Sequence, residues 1–404
     1  MLGFEEDRRT ILERIAPLTA EQAELLDSLG RVLAEDVIAP RDLPSFDNSA
    51  MDGFAVRAAE CSNLVALPVE GFIPAGSTGA PELAPGTAIR IMTGAMLPAG
   101  ADAIVPIEQA DESGGRMRPV ATVARHQHVR FAGEDVRRGQ TVLPAGTAIR
   151  PYEINILASC GCGRLRVVRR PTVAIVATGD ELVALGQTPR PGQLVNSNTY
   201  ALAAAVRALG AVPRVVGIAR DNPDSHREKL SLGLEADALI TSAGVSVGDR
   251  DLVSETLSEL GVEIVFWKVR VKPGKALAFG IHNRRPVFAL PGNPVSTMLS
   301  FEEFVAPALL KMMGHSRAVK PLLMAILQHD LTKKPGETHL VQMRLECANG
   351  RLLAWSAGRQ ATGIASTLLA ANALAVLPSE RESFTAGEEI PIHLLDGGLG
   401  ISVE

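Results

Sequence analysis

The 404-residue sequence predicts a multidomain α/β protein: a central doubly wound, mainly parallel sheet, a β-rich irregular domain, a small helical/β N-terminal domain and a C-terminal small β-barrel. Three observations lead there. After "RLRVVRRP", short β-branched runs alternate with amphipathic stretches of helical length. From Arg41 to about Arg170, Pro and Gly punctuate short β-branched runs that lack helical periodicity. Beyond "GHSRAVKP" the strands return with no helices between them. The length exceeds one typical domain. The expected divisions are 1-44 plus 137-170, an elongated helix/strand domain; 45-136, β-rich; 171-317, doubly wound; and 318-404, the barrel.

In order, residues 4 to 16 and 19 to 29 read as helices, the second opened by a Thr19-Ala20-Glu21-Gln22 capping box and closed by Gly30. "RVLAEDVIAP" reads as a strand. "GTAIR" occurs at 86 to 90 and again at 146 to 150, each copy read as a turn feeding a strand. Strand "TVAIVAT" is followed by a helix from about Ser197 to Leu209, strand "PRVVGIA", a helix after Pro223, strand "DALIT" and a helix after Asp251. Strands "EIVFWKVRV", "ALAFG" and "PVFAL" come next, then a helix from about Pro294 to Met313. The last domain offers "LLMAILQH", "HLVQMRLECANGRLLAWS", "ALAVLP" and "EIPIHLL", with an Asn-Gly hairpin signal inside "CANGRLL". About eighty residues of this kind make a small barrel or sandwich.

Composition removes some functions. With 46% hydrophobic and 21% charged residues the chain is globular, and a net charge of −5 argues against nucleic-acid or anionic-membrane partners. No apolar run approaches the roughly 18 residues of a membrane helix, and the charged start lacks a signal peptide's apolar core, so a cytoplasmic location is expected. Cys61, Cys160, Cys162 and Cys347 show neither a disulfide framework nor zinc spacing, and small buried thiols are expected. "HQH", residues 126 to 128, puts two imidazoles on one face of a strand, which is read as a solvated face ahead of a metal site.

The chemistry gathers in the loops after the central strands. "VAT" leads into Asp180 and Glu181, "GIAR" into Asp221, "ALIT" into "SAGVSVGDRD" with Asp249 and Asp251, and "VFAL" into "PGNPVS". In a doubly wound sheet these loops share one rim. Ser242, Gly244 and Ser246 offer a backbone nest for an anion, and Pro291, Gly292 and Asn293 open the last helix in the same way. Any one acid could be a helix cap, but acids after three strands beside Gly-rich turns favour a divalent cation with phosphate. In "FWKVRVKPGKALAFG", Lys268, Arg270 and Lys272 fall on one face of a strand at period two. An edge strand's solvated face would look the same, yet a row ending in Lys272-Pro273-Gly274-Lys275 favours an oxyanion receptor using Lys272 and Lys275. The Gly-Lys is followed by Ala, so this is no P-loop; a third fingerprint glycine and a Gly-x-Ser-x-Gly elbow are missing too.

Taken in order, "LPSFDNSAMDGFAV", "RIMTGAMLP", "RFAGEDV", "VATGDELV", "NSNTYAL", "TSAGVSVGDRD", "KPGKALAFG" and "LPGNPVS" resemble one family over nearly the whole chain: the molybdopterin molybdenumtransferases of MoeA type, with the gephyrin E domain. The resemblance implies adenylated molybdopterin and molybdate as substrates, with Mg²⁺ required. It implies Mg²⁺ and catalytic carboxylates at Glu181, Asp221 and Asp251, and molybdate contacts at Lys272, Lys275, Ser296, Arg344 and Ser366. It also implies a homodimer in which Asp52, Thr93, Arg130 and Asp135 complete the partner's site, and further contacts with other molybdenum-cofactor synthesis enzymes and apo-molybdoenzymes. Without it, Asp52 before Gly53 is good turn chemistry and Thr93 a strand-end cap. Two other functions stay open on the same grounds: adenylation of molybdopterin, and a non-enzymatic gephyrin-like scaffold. The chain departs from the family at Ala243, where Gly is usual, and in "SAGRQATGIASTLLAANAL". Ala243 is harmless at negative φ but costs about 1 kcal/mol or more if left-handed.

Overall fold

The computed structural model describes residues 3–244, 252–395 and the backbone of 402–403. By its internal contacts the chain divides into two compact units, Gln22–Leu29 with Glu35–Arg166, and Met1–Glu21 with Gly30–Ala34 and Val167–Glu404. The first helix, α1 (Phe4–Glu13), belongs to the second of these.

The first unit is built on a six-stranded sheet of β1 (Gly53–Val56), β2 (Leu67–Ile73), β3 (Ala88–Ile91), β4 (Ala103–Pro106), β5 (Ala110–Ser113) and β6 (Arg116–Pro119), in the order β4-β1-β3-β2-β6-β5. The first "GTAIR" does feed a strand, β3. The second instead feeds a helix, α2 (Pro151–Ser159), because Pro151 at its first turn and Glu153 bonded back to the Arg150 N–H at 2.8 Å set a helix start. "HQH" is a turn: His126 and His128 have φ of +66° and +54°, so the two imidazoles do not share a strand face.

The second unit contains the wound sheet. Its strands are β7 (Thr172–Thr178), β8 (Val212–Ala219), β9 (Ala238–Ser242), β10 (Glu263–Phe266), β11 (Ala278–His282) and β12 (Arg285–Leu290), ordered β8-β7-β9-β12-β11-β10. The first four in that order run parallel, while β11 and β10 pair antiparallel. Helices α3 (Asn198–Ala208), α4 (Pro223–Leu234) and α5 (Leu252–Glu259) alternate with the strands. The period of two along β7 decides the layers. Val173 and Ile175 pack with Leu202 and Val206 of α3, whereas Ala174 and Val176 pack with Leu230 of α4 and Val253 of α5. A strand covered on both faces needs the unbroken apolar run that "TVAIVAT" supplies. The last helix is continuous but changes pitch: α6 (Pro294–Ser300), a π turn (Phe301–Val305), then α7 (Ala306–Met312).

The C-terminal strands β13 (Leu323–Leu327), β14 (Thr338–Ala348), β15 (Arg351–Ser356), β16 (Ala373–Leu377) and β17 (Glu389–Leu394) close into a five-stranded barrel, β14-β15-β13-β17-β16, with β16 returning to β14. Asn349 and Gly350, at φ of +52° and +74°, make the two-residue β14-β15 hairpin that Asn-Gly announces.

Three further expectations fail, each for a tertiary reason. Residues 19–29 are not a helix: Ala20–Glu24 is a strand paired with Arg164–Val168, and Leu26–Ser28 is a 3₁₀ turn. A neighbouring strand satisfies this backbone and overrides the capping signal. "RVLAEDVIAP" contributes only the two-residue strand Val37–Ile38, paired with Thr141–Leu143. "EIVFWKVRV" is likewise broken after Phe266, and Val271–Lys272 pairs with Thr338–His339 at the barrel, so Lys268, Arg270 and Lys272 do not form one strand face.

Helix α1 carries an unusual acid. Arg8 of α1 and His393 of β17 both reach Glu303 in the π turn, at 3.2 and 3.0 Å, tying three segments through buried charge. Beside them Asp7 is 1% exposed, and neither carboxylate oxygen has a hydrogen-bond partner among the described residues. Burial, and then Glu6, push its carboxyl up to about 6. A raised carboxyl stabilises the fold fully below its unfolded value near 4 and loses that contribution as pH rises through about 6. Asp7→Asn is therefore expected to gain stability relative to wild type between pH 4 and pH 8, by of order 2–3 kcal/mol in urea unfolding. A difference that stays flat across that range would show that Asp7 is not a buried acid.

Candidate active site

Parallel strands β8, β7, β9 and β12 end side by side, so their following loops form one rim. Next to the β8 end, Asp221 and Asp180 bond reciprocally: the Asp180 N–H donates to Asp221 Oδ2 at 3.2 Å and the Asp221 N–H to Asp180 Oδ1 at 3.3 Å. Arg220 crosses beneath and donates to the carbonyls of Gly179, Asp180 and Leu182, at 3.0 to 3.3 Å, which fixes the turn after β7. Gly179 is obligatory in that turn. Its φ is +133°, a backbone conformation that residues with a Cβ rarely adopt, and the Glu181 carboxylate lies over its Cα.

Between the β7, β9 and β12 ends opens a cavity of about 570 Å³, lined by Glu181, Ser242, Ala243, Gly292, Asn293 and the start of α3. Asn198, at the first turn of α3, holds its walls together. Its Nδ2 lies 3.0 Å from Ser242 Oγ, 2.8 Å from the Gly292 carbonyl and 3.3 Å from Thr297 Oγ1. Thr297 in turn donates to the Pro291 carbonyl at 2.5 Å, so the loop from Pro291 to Asn293 is pinned from both sides. The sequence shows Asn198 within "NSNTYAL", but its partners lie 44 to 99 residues away, and only the folded sheet reveals its role.

Ala243 and Gly244 are both left-handed, at φ of +74° and +76°. Gly244 has no alternative: a Cβ would meet Val253 Cγ2 at 2.3 Å and Thr178 Oγ1 at 2.8 Å. Ala243 carries its methyl under strain, facing the bare backbone of Gly292. Ser246, Asp249 and Asp251, the remaining members of that loop, lie outside the described residues.

A second cavity, of about 310 Å³, is lined by Lys272, Lys333, His339, Gln342 and Thr362. It adjoins the loop after β12, where Asn293 Nδ2 donates to Thr362 Oγ1 at 3.3 Å and the Val295 N–H donates to the Thr362 carbonyl at 3.2 Å. Burial, then Lys333 and Lys272, hold the His339 imidazole below its ordinary range, and burial lowers Lys333 as well. Lys275 is paired with Glu337 at 2.5 Å, and Arg344 with Glu346; with Ser366, exposed on a 3₁₀ turn (Ala365–Ala370), they line neither cavity. Ser296 is buried in α6, at 4% exposure.

In the first unit, Asp52 Oδ1 accepts from both the Thr93 N–H and Thr93 Oγ1 at 2.7 Å, and these bonds hold the carboxyl below its usual range. Arg130 and Asp135 are exposed, Arg130 on a short strand paired with Asn48 and Asp135 donating its N–H to the Leu43 carbonyl.

Three family models cover the chain: the MoeA N-terminal region (domain I and II) over residues 2–161, a probable molybdopterin binding domain over 174–311, and the MoeA C-terminal region (domain IV) over 324–395. The chain belongs to the MoeA family of molybdopterin molybdenumtransferases. Similar proteins named molybdopterin molybdenumtransferase include one from Nostoc sp., 38% identical with 92% of this chain and 87% of that protein covered. Another, from Haemophilus influenzae, is 35% identical over 99% and 100%. The crystal structure of a molybdopterin biosynthesis MoeA protein from Pyrococcus horikoshii matches with a TM-score of 0.84 at 30% identity, covering 98% of this chain and all of that one. The chain is thus an enzyme of molybdenum-cofactor synthesis, and its fold is that of the MoeA structures.

Replacing the strained alanine tests the rim's geometry. Ala243→Gly is expected to raise stability by about 0.5–1 kcal/mol, since glycine removes a left-handed penalty of about 1–2 kcal/mol and returns part of it as unfolded-state entropy. A urea midpoint that falls would place Ala243 at negative φ. Gly179→Ala should move the opposite way.

Proposed function

We propose that this chain inserts molybdenum from molybdate into adenylated molybdopterin, with Mg²⁺-dependent cleavage of the adenylate, the last step of molybdenum-cofactor synthesis. The observation that carries the proposal is the juxtaposition of an acid-bearing, glycine-turned rim with a separate lysine-lined cavity across the loop after β12. A dinucleotide-like diphosphate with a cation suits the first, and a tetrahedral dianion suits the second.

The donors fit Mg²⁺. Glu181 and Asp221 are carboxylates, the hard oxygen ligands that this ion takes one or two at a time with substrate phosphates. Among the described residues no three His, Cys, Asp or Glu side chains gather about one point, so the protein supplies only part of a coordination shell. Bound there with Asp251, Mg²⁺ would offset diphosphate charge. The chain's own residues do the rest. Asn198 fixes Ser242 and the Gly292 carbonyl before substrate arrives, so little reorganisation remains for the reaction. The backbone N–H at Gly244 suits a phosphate oxygen. Ser246 and Asp249 are assigned to the same substrate on sequence grounds. Lys272 supplies positive charge for molybdate, and no nucleophilic side chain is required, because water or a molybdate oxygen attacks the adenylate.

The proposal includes a homodimer in which a second copy supplies Asp52, Thr93, Arg130 and Asp135. The resemblance supports this; within one copy, Thr93 holds the Asp52 carboxylate with two donors. Cytoplasmic location and docking with other cofactor-synthesis enzymes and apo-molybdoenzymes belong to the same proposal; among the described residues no helix is long and apolar enough to cross a membrane.

Glu181→Gln tests it. The variant keeps its fold by circular dichroism and loses release of AMP from adenylated molybdopterin with molybdate by about 10²-fold or more, the scale of one electrostatic contact in a transition state. Wild-type release in that variant removes Glu181 from the mechanism, and wild-type protein that consumes ATP with free molybdopterin would replace the proposal with adenylation.

A further inference from the structure

Glu181 and Asp221 lie on different loops, after β7 and after β8, and a cation held by both requires the two loops to keep a fixed spacing. We infer that Arg220 is the positioning residue that sets this spacing, and through it the affinity of the rim for a divalent cation. This inference rests on the function proposed above and adds to it a residue that touches neither substrate nor cation.

The carbonyls of the turn after β7 show it first. All four from Gly179 to Leu182 are hydrogen-bonded: Glu181 accepts from the Leu194 N–H at 2.8 Å, while Gly179, Asp180 and Leu182 accept from Arg220 Nη1 at 3.3, 3.3 and 3.0 Å. One side chain from the neighbouring loop therefore orients most of this turn. Where the turn goes its acid goes, because the Glu181 carboxylate lies over the Gly179 Cα. Secondly, Arg220 is itself anchored. Its N–H donates to Ser225 Oγ at 2.9 Å and its carbonyl accepts from the Asn222 N–H at 2.6 Å, so the backbone is fixed on both sides of Asp221. Thirdly, the arginine orders the acids without neutralising them. Among the described residues it forms no salt bridge, and Asp180 and Asp221 each spend one oxygen on the other's N–H, which leaves each a second oxygen that accepts no hydrogen bond from a described residue. Fourthly, Arg220 is exposed, so water can satisfy the three carbonyls when the guanidinium is removed. Stability then changes little, and what is lost is the direction of the turn. Nη1 has two hydrogens for three carbonyls, whereas a lysine ammonium has three, so lysine is the conservative replacement and methionine, which has no donor, the disruptive one.

The test reads metal binding directly, by electron paramagnetic resonance of Mn²⁺ titrated into the full-length protein with AMP present. Arg220→Met should weaken Mn²⁺ binding by about fivefold or more, toward the low end of what losing a ligand-supporting group costs in metal affinity. The Mg²⁺ concentration for half-maximal AMP release should rise by a similar factor, with the rate at saturating Mg²⁺ close to wild type. Arg220→Lys should recover Mn²⁺ binding to within about twofold; a lysine as weak as the methionine overturns the inference, since donors to the carbonyls would then not be what matters. A purely structural arginine lowers the thermal midpoint of Arg220→Met and leaves the Mn²⁺ titration in place, a result that overturns the inference while the proposed function stands. Should Arg220→Met fail to fold, Ser225→Ala decides in its place: it frees the Arg220 backbone and should weaken Mn²⁺ binding about twofold or more, and an unchanged titration overturns the inference. Wild-type protein that binds no Mn²⁺ overturns it as well. If that protein also releases AMP from adenylated molybdopterin at full rate with divalent cations chelated, the Mg²⁺ dependence proposed above falls with it.

Discussion

Burial of β7 on both faces is the constraint on which the rest depends. A parallel strand sandwiched between α3 on one side and α4 with α5 on the other can be joined to its neighbours only by crossovers. Crossovers bring every parallel strand to the same rim with the same polarity. Glu181, Asp221, Ser242 and Gly292 are neighbours for that reason, although 111 residues separate the first from the last. The apolar core of Val173, Ile175 and their partners sets the strand ends, and the reciprocal Asp180–Asp221 bonds then tie two of the loops.

Once at the rim, the loops are shaped by what cannot fit. Gly179 leaves room for its own neighbour's carboxylate, Gly244 for Val253 and Thr178, and Gly292 for the Ala243 methyl. Asn198 then converts three loosely related loops into one surface. Steric exclusion sets the turns, and a single amide locks them. Ala243 is the exception, a strained residue where glycine would serve, and strain of this kind persists only where the surroundings over-determine it.

What the sequence disclosed, and what it hid, follows from the range of the interactions. The strands and helices from Thr172 to Phe266, and the pair Ala278–His282 and Arg285–Leu290, were legible because burial writes continuous apolar runs, and the acids were legible because they follow those runs directly. The Asn-Gly hairpin was legible because its φ values are local. Residues 19–29 misled because their capping box is local and their true partner, Arg164–Val168, is not. The helix Pro151–Ser159 was hidden inside a repeat that suggested a strand. Asn198 carries no chemistry that a sequence pattern can flag, because it acts by position alone.

The failure of the cation row is the most instructive case. Period-two spacing put Lys268, Arg270 and Lys272 on one face, and that argument is sound for any strand that runs straight through. This strand does not: it leaves the wound sheet after Phe266, and Val271–Lys272 joins the barrel beside Thr338–His339. The jump separates Lys272 from the rim's carboxylates and seats it in a different cavity with Lys333. Had the row stayed in the sheet, it would have extended β10 at the edge opposite β8, three or more strands away from the loops that carry Glu181 and Asp221. Gly292 to Pro294 line the rim cavity and Val295 lines the cavity of Lys272, so one short loop borders both.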